Sequence, residues 1–401
     1  MKTAIVSPYK DTPAGSEADA ILRACVHCGL CTATCPTYGL LGDERDSPRG
    51  RIYLIKQILE GRPVGRVTRF HLDRCLTCGA CETTCPSGAP YRRLLHMGRG
   101  IMEEKAPRPF YARLGRLALR KVLPYPKRLS PMVGLGRLMR PLLPNALAAR
   151  MPPRQNPPGL PDRPRQRNVL LLEGCVQSVV TPGTNAALIR VLDRMEFGVA
   201  REPAAGCCGA VSYHLSASAE GMGFMRRNID AWWPHVESGV EGIAISASGC
   251  AAMVKEYGYV LRHDPEYAAK AARVSSLVRD PVVLLEGAEE RLGAIGAGRR
   301  IAFHAPCTLQ HGLRLPGRVE DLLARLGFTL TKVADAHLCC GSAGTYSLLQ
   351  PRLSHRLLAN KLSCLEAEKP TLIATANVGC QLHLRTEATV PVRHWIELLD
   401  A

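Results

Sequence analysis

Residues 25–36 read CVHCGLCTATCP, and residues 75–86 read CLTCGACETTCP. Both copies have the spacing CxxCxxCxxxCP, in which two residues separate each of the first three cysteines and a proline follows the fourth. Three thiolates at this spacing bind three corners of a [4Fe-4S] cubane, and the fourth reaches the neighbouring cluster. A zinc ion is usually held by two separated CxxC pairs in a tetrahedral array, which a third nearby cysteine does not suit. The repeat therefore predicts two [4Fe-4S] clusters.

The exchange of the fourth cysteine divides the eight thiols into two ligand sets. The first set is Cys25, Cys28, Cys31 and Cys85, and the second set is Cys75, Cys78, Cys81 and Cys35. Cys35 and Cys85 thus change places, which makes the two motifs one folding unit. We interpret His27, inside the first motif, as a loop histidine, because four cysteines already complete the cluster. Clusters of this kind pass single electrons.

Composition and charge restrict the class of protein. The chain has 401 residues, 17 cysteines and a net charge of +17. Its start, MKTAIVSPYK, lacks the apolar stretch of a secretory signal, so the CxxC pairs indicate metal or redox sites in a reducing cytoplasm. No run of about 18 apolar residues is present, which argues against a transmembrane helix.

The positive charge is concentrated in one segment. Between Lys105 and Arg167 there are fifteen Lys and Arg residues and one acid, Asp162. The basic residues alternate with leucines rather than aromatic residues, as in YARLGRLALRKVL, so binding to nucleic acid is not expected. An anionic membrane surface, a partner groove or simple solvation of a charged linker explains this segment better.

Changes of composition suggest four parts. We expect a two-cluster ferredoxin-type domain over residues 1–105, a basic and proline-rich linker with amphipathic helices over 106–167, and two cysteine-rich domains over 168–298 and 299–401. The stretch SPRGRIYLIKQILEG predicts a helix that is capped by Ser47 and ends at Gly61. Strand patterns are almost absent before residue 105, so this part should be helical.

The second half of the chain contains an internal repeat. Cys175, Cys207, Cys208 and Cys250 recur as Cys307, Cys339, Cys340 and Cys380, at offsets of 132, 132, 132 and 130 residues. Each half alternates three apolar strands with helical patterns, which is typical of parallel βα units. The predicted fold is thus multidomain, with an α-helical ferredoxin-like two-cluster domain followed by a duplicated α/β module. The cysteines are expected in loops at strand ends, the last of each module directly after the third strand.

The eight cysteines of the repeat are candidate metal ligands or redox thiols. Zinc, a further cluster and a thiol redox site all remain open for each module. Cys364 has no counterpart in the first module and is interpreted as a packed thiol. We interpret His304, His311, His337 and His383 as structural residues, with a neighbour of an oxygen or sulfur site as the alternative for His383, which lies in a CxxH pattern. No GxGxxG, GxxxxGK[ST] or HExxH motif is present, so the chain lacks a recognisable flavin, nicotinamide or nucleotide site.

Several stretches together resemble the iron–sulfur subunits of bacterial glycolate oxidases (glycolate dehydrogenases). They include CVHCGLCTATCPTYGLLGDERDSPRGRIYLIKQILEG, RCLTCGACETTCPSG, LEGCVQ, SASGCAAMVKEYG, APCTLQH, HLCCGSAGTYSLLQP and ANVGCQLHL. The resemblance implies a complex in which FAD-containing subunits oxidise glycolate to glyoxylate. This chain would then pass electrons through its two clusters towards a quinone-type acceptor. By itself it would not oxidise glycolate, and it would lie in the cytoplasm, where it could attach to the inner face of the membrane.

The repeat also resembles the CCG domains of heterodisulfide reductases, anaerobic glycerol-3-phosphate dehydrogenase and lactate-utilisation proteins. This second resemblance implies redox-active CCG modules as an alternative function. The fuller family pattern ends in CxxC, but here Met253 and His383 occupy the position of the fifth cysteine. A cluster of the heterodisulfide reductase type is therefore not expected.

Overall fold

The structure is a computed structural model that describes residues 1–142, 153–156, 158–161, 165–287 and 289–400. The chain forms two compact units. Unit 1 contains residues 1–116 and 337–357, and unit 2 contains residues 117–336 and 358–400. Part of the predicted basic linker, residues 143–152, 157 and 162–164, lies outside the described residues.

Unit 1 is built from helices and loops, as the scarcity of strand patterns predicted. Its α-helices are Pro13–Ala24, Pro36–Leu41, Pro48–Leu59, Arg66–Asp73, Ala80–Thr84, Tyr91–Lys105 and Tyr346–Leu349, with 3-10 turns at Leu30–Thr32 and Glu44–Asp46. The helices Phe110–Val122 and Pro351–Glu366 contain residues of both units. The helices pack around a core that includes Leu22, Ile55, Leu72, Leu94 and Leu95.

The helix Pro48–Leu59 shows why this sequence folds locally. Ser47 has an extended backbone, and its hydroxyl accepts a hydrogen bond from the N–H of Gly50, as an N-cap residue does. Ile52, Ile55 and Ile58 recur at helical spacing and are buried. After the helix, Gly61 adopts a left-handed φ of 78°. The predicted cap, apolar face and stop are confirmed.

Unit 2 contains two four-stranded parallel sheets of identical topology. The strands are β1 Arg167–Leu171, β2 Phe197–Arg201, β3 Gly242–Ala244, β4 Val278–Arg279, β5 Arg300–His304, β6 Thr329–Leu330, β7 Leu372–Thr375 and β8 Val392–His394. Their orders are β2-β1-β3-β4 and β6-β5-β7-β8. The predicted duplicated α/β fold is confirmed, with a fourth strand per sheet. The additional strands β4 and β8 are too short to show a strand pattern in the sequence.

Helices connect the strands and cover the sheets. The helices that lie wholly in unit 2 are Pro126–Leu138, Gln177–Val180, Pro182–Arg194, Ala210–His214, Ser218–Glu237, Ser248–Lys255, Tyr257–Val260, Ala268–Leu277, Pro281–Leu284, Glu289–Leu292, Arg318–Arg325 and Val378–Leu384. A π-helical turn, Thr308–Gly312, and 3-10 turns at Arg140–Leu142 and Trp395–Leu398 complete them. One apolar core that includes Trp232 and Trp395 extends through both modules.

The segment after β3 contacts the segments after β5 and β7. The N–H of Ser248 donates to the carbonyl of Ala376, and the hydroxyls of Ser248 and Thr308 are 2.7 Å apart. Asn377 accepts a hydrogen bond from the N–H of Gly249 at 3.3 Å. These bonds join the carboxyl ends of the two sheets.

The last cysteine of each module has a different position from the predicted one. Cys250 lies in the first turn of the helix Ser248–Lys255, and Cys380 in the first turn of Val378–Leu384. Several residues separate each of them from its strand, because β3 ends at Ala244 and β7 at Thr375.

Among the helices of the described residues, none is long and apolar enough to span a membrane.

Asp280 should make the folding of unit 2 depend on pH. It is 2 % exposed, its Oδ1 caps the helix Pro281–Leu284 by accepting from the N–H of Val282, and its Oδ2 has no partner among the described residues. Burial raises the pKa of Asp280 to about 7. The folded state therefore retains a proton that the unfolded chain loses near pH 4, so its stability should fall as the pH rises from about 4 to 7.

Asp280→Asn keeps the capping oxygen but removes the titration. We expect this variant to be more stable than the wild type at pH 8, by roughly 4 kcal/mol at most, since each pH unit corresponds to ~1.4 kcal/mol. Urea unfolding followed by fluorescence of the buried Trp232 and Trp395 measures the difference at pH 5 and pH 8. Equal pH profiles of the two proteins would contradict the expectation.

Candidate functional site

The two cysteine motifs of unit 1 border two hollows. Cys25, Cys28, Cys31 and Cys85 line the first hollow, to which Cys81 also contributes. Cys35, Cys75, Cys78 and Cys81 line the second hollow. Each hollow thus collects three thiols of one motif and the fourth thiol of the other. The described residues include all seventeen cysteines, and no disulfide joins any two of them.

The two cysteine loops have the same backbone conformation. His27 and Thr77, which precede the second cysteine of each motif, have φ values of 56° and 55°, and Gly29 and Gly79 have φ values of 86° and 79°. Left-handed backbone is uncommon for residues other than glycine, so its recurrence at equivalent positions marks a constrained loop. At Gly29 a Cβ would also approach Arg49 Nη1 to 2.6 Å. The loop shape therefore turns successive thiols towards one hollow.

Hydrogen-bond donors approach the thiols of the second hollow. The hydroxyl of Tyr91 donates to Cys75 Sγ at 3.5 Å, and the N–H of Thr77 donates to the same sulfur at 3.4 Å. The Thr37 hydroxyl is 3.3 Å from Cys35 Sγ. In the first hollow, burial raises the pKa of Cys31 to about 11. Thiolates at such positions require a positive partner, which the iron of a cluster provides.

A buried ion pair lies behind the second hollow. Arg51 Nη2 donates to Asp46 Oδ1 at 3.1 Å, and the two side chains are 1 % and 0 % exposed. Arg51 also donates to Thr37 Oγ1 at 3.0 Å and to the carbonyl of His71 at 2.8 Å. Arg74 donates to the second carboxylate oxygen of Asp46 at 2.8 Å. Arg51 itself lines the hollow, so a guanidinium charge lies beside these thiols.

The four predicted thiols of the first module converge. Side-chain contacts connect Cys175 to Cys207, Cys207 to Cys208, and Cys208 to Cys250. The neighbouring Cys207 thiol and burial raise the pKa of Cys175. The carbonyl of Cys208 accepts a hydrogen bond from the buried hydroxyl of Tyr257 at 2.9 Å. The tertiary fold thus brings four sulfur atoms from three separate segments to one place.

The glycine after each cysteine pair has a geometric role. Gly209 and Gly341 adopt φ values of 85° and 91°, and a Cβ would approach the carbonyl oxygens of Gly221 and Ser354 to 2.7 and 2.6 Å. In this conformation the N–H of Gly209 donates to Cys207 Sγ at 3.4 Å, and the N–H of Gly341 donates to Cys339 Sγ at the same distance. The motif CCG thus fixes the sulfur of its first cysteine.

The cysteines of the second module belong to different units. Cys339 and Cys340 belong to unit 1, whereas Cys307 and Cys380 belong to unit 2. Within unit 1, the segment with the cysteine pair contacts the dicluster region, since the hydroxyl of Tyr346 donates to the carbonyl of Arg74 at 3.1 Å. Burial and then the nearby Cys75 raise the pKa of Tyr346, and Cys339 acts in the same direction.

Sequence reasoning missed several residues around the thiols. Asp46, Arg51 and Tyr91 were not singled out, although SPRGR begins a helix beside the first motif. His304 was interpreted as structural, but its ring lies within 4.8 Å of Cys380 Sγ. For Arg51 and His304 the signal is a basic side chain at a position where helical or strand periodicity favours an apolar one.

The fold and these thiols define a class of protein: an iron–sulfur protein with a helical dicluster domain and a duplicated cysteine-rich α/β module. The family model described as 4Fe-4S dicluster domain matches residues 24–89. The family model described as Cysteine-rich domain matches residues 169–255 and 301–385. Both matches agree with the fold of the corresponding parts.

Proteins of similar sequence cover between 58 % and 100 % of this chain. The glycolate oxidase iron-sulfur subunit of Escherichia coli (strain K12) is 53 % identical over 402 residues, which cover 100 % of this chain and 98 % of the relative. The probable glycolate oxidase iron-sulfur subunit of Bacillus subtilis (strain 168) is 29 % identical over 91 % of this chain and 88 % of its own length. Lactate utilization protein A of Bacillus velezensis is 26 % identical over 58 % of this chain and 99 % of its own length.

The chain belongs to the family of glycolate oxidase iron-sulfur subunits. The family resemblance and the duplicated cysteine-rich domain that the sequence predicted are confirmed.

Proposed function

We propose that this chain is the electron-transfer subunit of a glycolate oxidase complex. It takes electrons from FAD-containing partner subunits, which oxidise glycolate to glyoxylate, and passes them towards a quinone-type acceptor. Family membership at 53 % identity over the whole chain is the observation that carries this proposal. The dicluster domain of residues 24–89 supports the presence of [4Fe-4S] clusters.

The eight motif cysteines are proposed as the cluster ligands in crossed sets. Cys25, Cys28, Cys31 and Cys85 hold one cluster, and Cys75, Cys78, Cys81 and Cys35 hold the other. The lining of the two hollows supports this division. Each cluster, when bound, accepts and releases one electron at a time. The residues around the sulfurs, including Tyr91 and Arg51, stabilise negative charge there, because they offer an O–H donor and a guanidinium.

The chain by itself should not oxidise glycolate. We expect the purified chain to be reduced by dithionite but not by glycolate, because no flavin motif is present in its sequence. Addition of the co-expressed flavin subunits should make glycolate reduce the clusters, which anaerobic absorption and EPR spectra measure. Glycolate oxidation by the isolated chain would contradict the proposal, as would clusters that glycolate leaves oxidised in the assembled complex.

Paired substitutions test the crossed ligand sets. If Cys35 and Cys75 hold the same cluster, Cys35→Ala with Cys75→Ala should remove one of the two cluster EPR signals and leave the other. Cys35→Ala with Cys25→Ala should remove both, because each substitution then damages a different cluster. The reverse result would show that each motif holds its own cluster. Cys364→Ala, which removes a thiol of the helix Pro351–Glu366, serves as the control and should retain both signals.

The cysteine-rich modules provide a second candidate function. The chain of four thiols in the first module, three of them buried and Cys250 half-buried, favours a further metal or a redox-active site there. The contact of Tyr346 with Arg74, close in sequence to Cys75, supports electron transfer between the second cluster and the pair Cys339 and Cys340. In a heterodisulfide reductase-like protein, the dithionite-reduced chain would reduce a disulfide substrate. In the glycolate oxidase subunit, that reaction is not expected.

Attachment to the cytoplasmic face of the membrane is part of the proposal. The helix Phe110–Val122 exposes Phe110, Leu114 and Leu117 at helical spacing, with exposed fractions of 78 %, 53 % and 43 %. The helix Pro126–Leu138 exposes Met132, Leu135 and Leu138 in the same way. Basic residues accompany both helices, and a helix with an apolar face and a cationic face binds in the interface of anionic lipids. These basic residues are not attracted to uncharged lipid, so an anionic lipid surface is the expected target.

Vesicle flotation tests the membrane contact. We expect the protein to float with phosphatidylglycerol vesicles and to remain at the bottom with phosphatidylcholine vesicles. Leu114→Asp with Leu117→Asp should reduce flotation at least fivefold, because each change places a carboxylate in the apolar face. Val67→Asp, at a residue that is 61 % exposed on another helix, is the control and should float normally. Absence of flotation with phosphatidylglycerol vesicles would remove membrane binding from the proposal, and equal flotation with both lipids would remove its dependence on anionic lipid.

A further inference from the structure

A buried imidazole in the second module has one nitrogen without a partner. His304 is the last residue of β5 and is 2 % exposed. Its Nδ1 is 3.0 Å from Thr375 Oγ1, at the end of the neighbouring strand β7. Among the described residues, nothing forms a hydrogen bond with His304 Nε2. A buried polar atom without a partner costs about 1–3 kcal/mol, so its presence calls for an explanation.

The sulfur of Cys380 lies beside this imidazole. A ring nitrogen of His304 and Cys380 Sγ are within 4.8 Å of each other, and both residues belong to unit 2. Cys380 is 5 % exposed, and Asn377 Nδ2 donates to its sulfur at 3.5 Å. A tetrahedral zinc ion places nitrogen and sulfur ligands about 3.5 Å apart, since its bonds are about 2.0 and 2.3 Å long. A small adjustment of the two side chains meets that distance.

The hydrogen bond to Thr375 orients the ring as metal-binding histidines require. When Nδ1–H donates to an oxygen, the tautomer is fixed and the lone pair of Nε2 is free to bind an ion. Burial, and then the nearby Lys361 and His383, lower the pKa of His304.

The first module lacks this pair of polar residues. At the offsets that relate the cysteines, the counterparts of His304 and Thr375 are Leu172 and Ile245. Both are buried, with exposed fractions of 3 % and 0 %. Apolar side chains therefore occupy these positions in the first module, so folding of such a module does not require an imidazole there. The histidine and threonine are a feature of the second module.

We infer that His304 Nε2 and Cys380 Sγ are ligands of a zinc-class metal ion in the second cysteine-rich module. Zn²⁺ binds imidazole nitrogen and thiolate sulfur in one site, and it has no redox chemistry of its own. The two cysteine-rich modules then differ in chemistry, because the first offers sulfur ligands alone. Reduction of the clusters by glycolate does not require this ion, so the proposed electron transfer and the inferred metal site are tested separately.

The test measures zinc in the full-length chain after expression with added zinc. We expect about one zinc per chain that survives dialysis against a weak chelator, with both nitrogen and sulfur neighbours in the zinc X-ray absorption spectrum. His304→Leu, which introduces the residue of the first module, should lower the retained zinc at least tenfold. His304→Cys should keep the zinc but replace the nitrogen neighbour by sulfur, which shows that the variant folds.

Two histidine controls define the site. His394 is buried in β8, where its nitrogens contact the carbonyl of Ser246 and the N–H of Ile396, so His394→Gln should retain zinc with an unchanged spectrum. His383→Gln should also retain it. Wild-type protein without zinc, zinc that is unchanged in His304→Leu, or loss of the nitrogen neighbour in His383→Gln would each overturn the inference.

Discussion

The buried ion pair between Asp46 and Arg51 connects the two cysteine loops of unit 1. Asp46 lies on the stretch that follows the first motif, and Arg51 bonds both to Thr37, beside Cys35, and to the carbonyl of His71, before Cys75. An ion pair without solvent contact is costly to form unless its remaining polar atoms are satisfied, and Arg74 satisfies the second oxygen of Asp46. These hydrogen bonds join both cysteine loops to one buried guanidinium, which also lines the second hollow.

The duplicated module shows how one fold carries two different sites. Both copies have the strand order in which the first strand lies between the second and the third, and both use a left-handed glycine after the cysteine pair. In each sheet a cysteine follows the carboxyl end of the first strand and another follows that of the third strand, where loops of a parallel sheet meet. The buried side chains that differ between the two copies include Leu172 against His304. A change of this kind alters the ligand chemistry while the core remains packed.

Much of the fold could be predicted from the sequence because the relevant signals are local. The cap at Ser47, the apolar spacing of Ile52, Ile55 and Ile58, and the alternation of strands and helices in the repeat each involve neighbouring residues. The short strands β4 and β8 were missed, since two or three residues carry no period. The position of Cys250 and Cys380 in the first turn of a helix was also missed. In GIAISASGC and LIATANVGC, the residues that end the strand and those that begin the helix are similarly small or apolar, so the sequence does not mark the boundary.

The sequence by itself determined the number and spacing of the thiols, the duplication of the module and the family to which the chain belongs. These properties depend on the order of residues along the chain. Only the tertiary structure decided which side chains surround the thiols: Tyr91 at Cys75, the guanidinium of Arg51 behind the second hollow, and the imidazole of His304 beside Cys380. Such contacts join residues that are 16 to 76 positions apart or that lie on separate strands, and they arise only when the core packs and fixes where each buried polar group can find a partner.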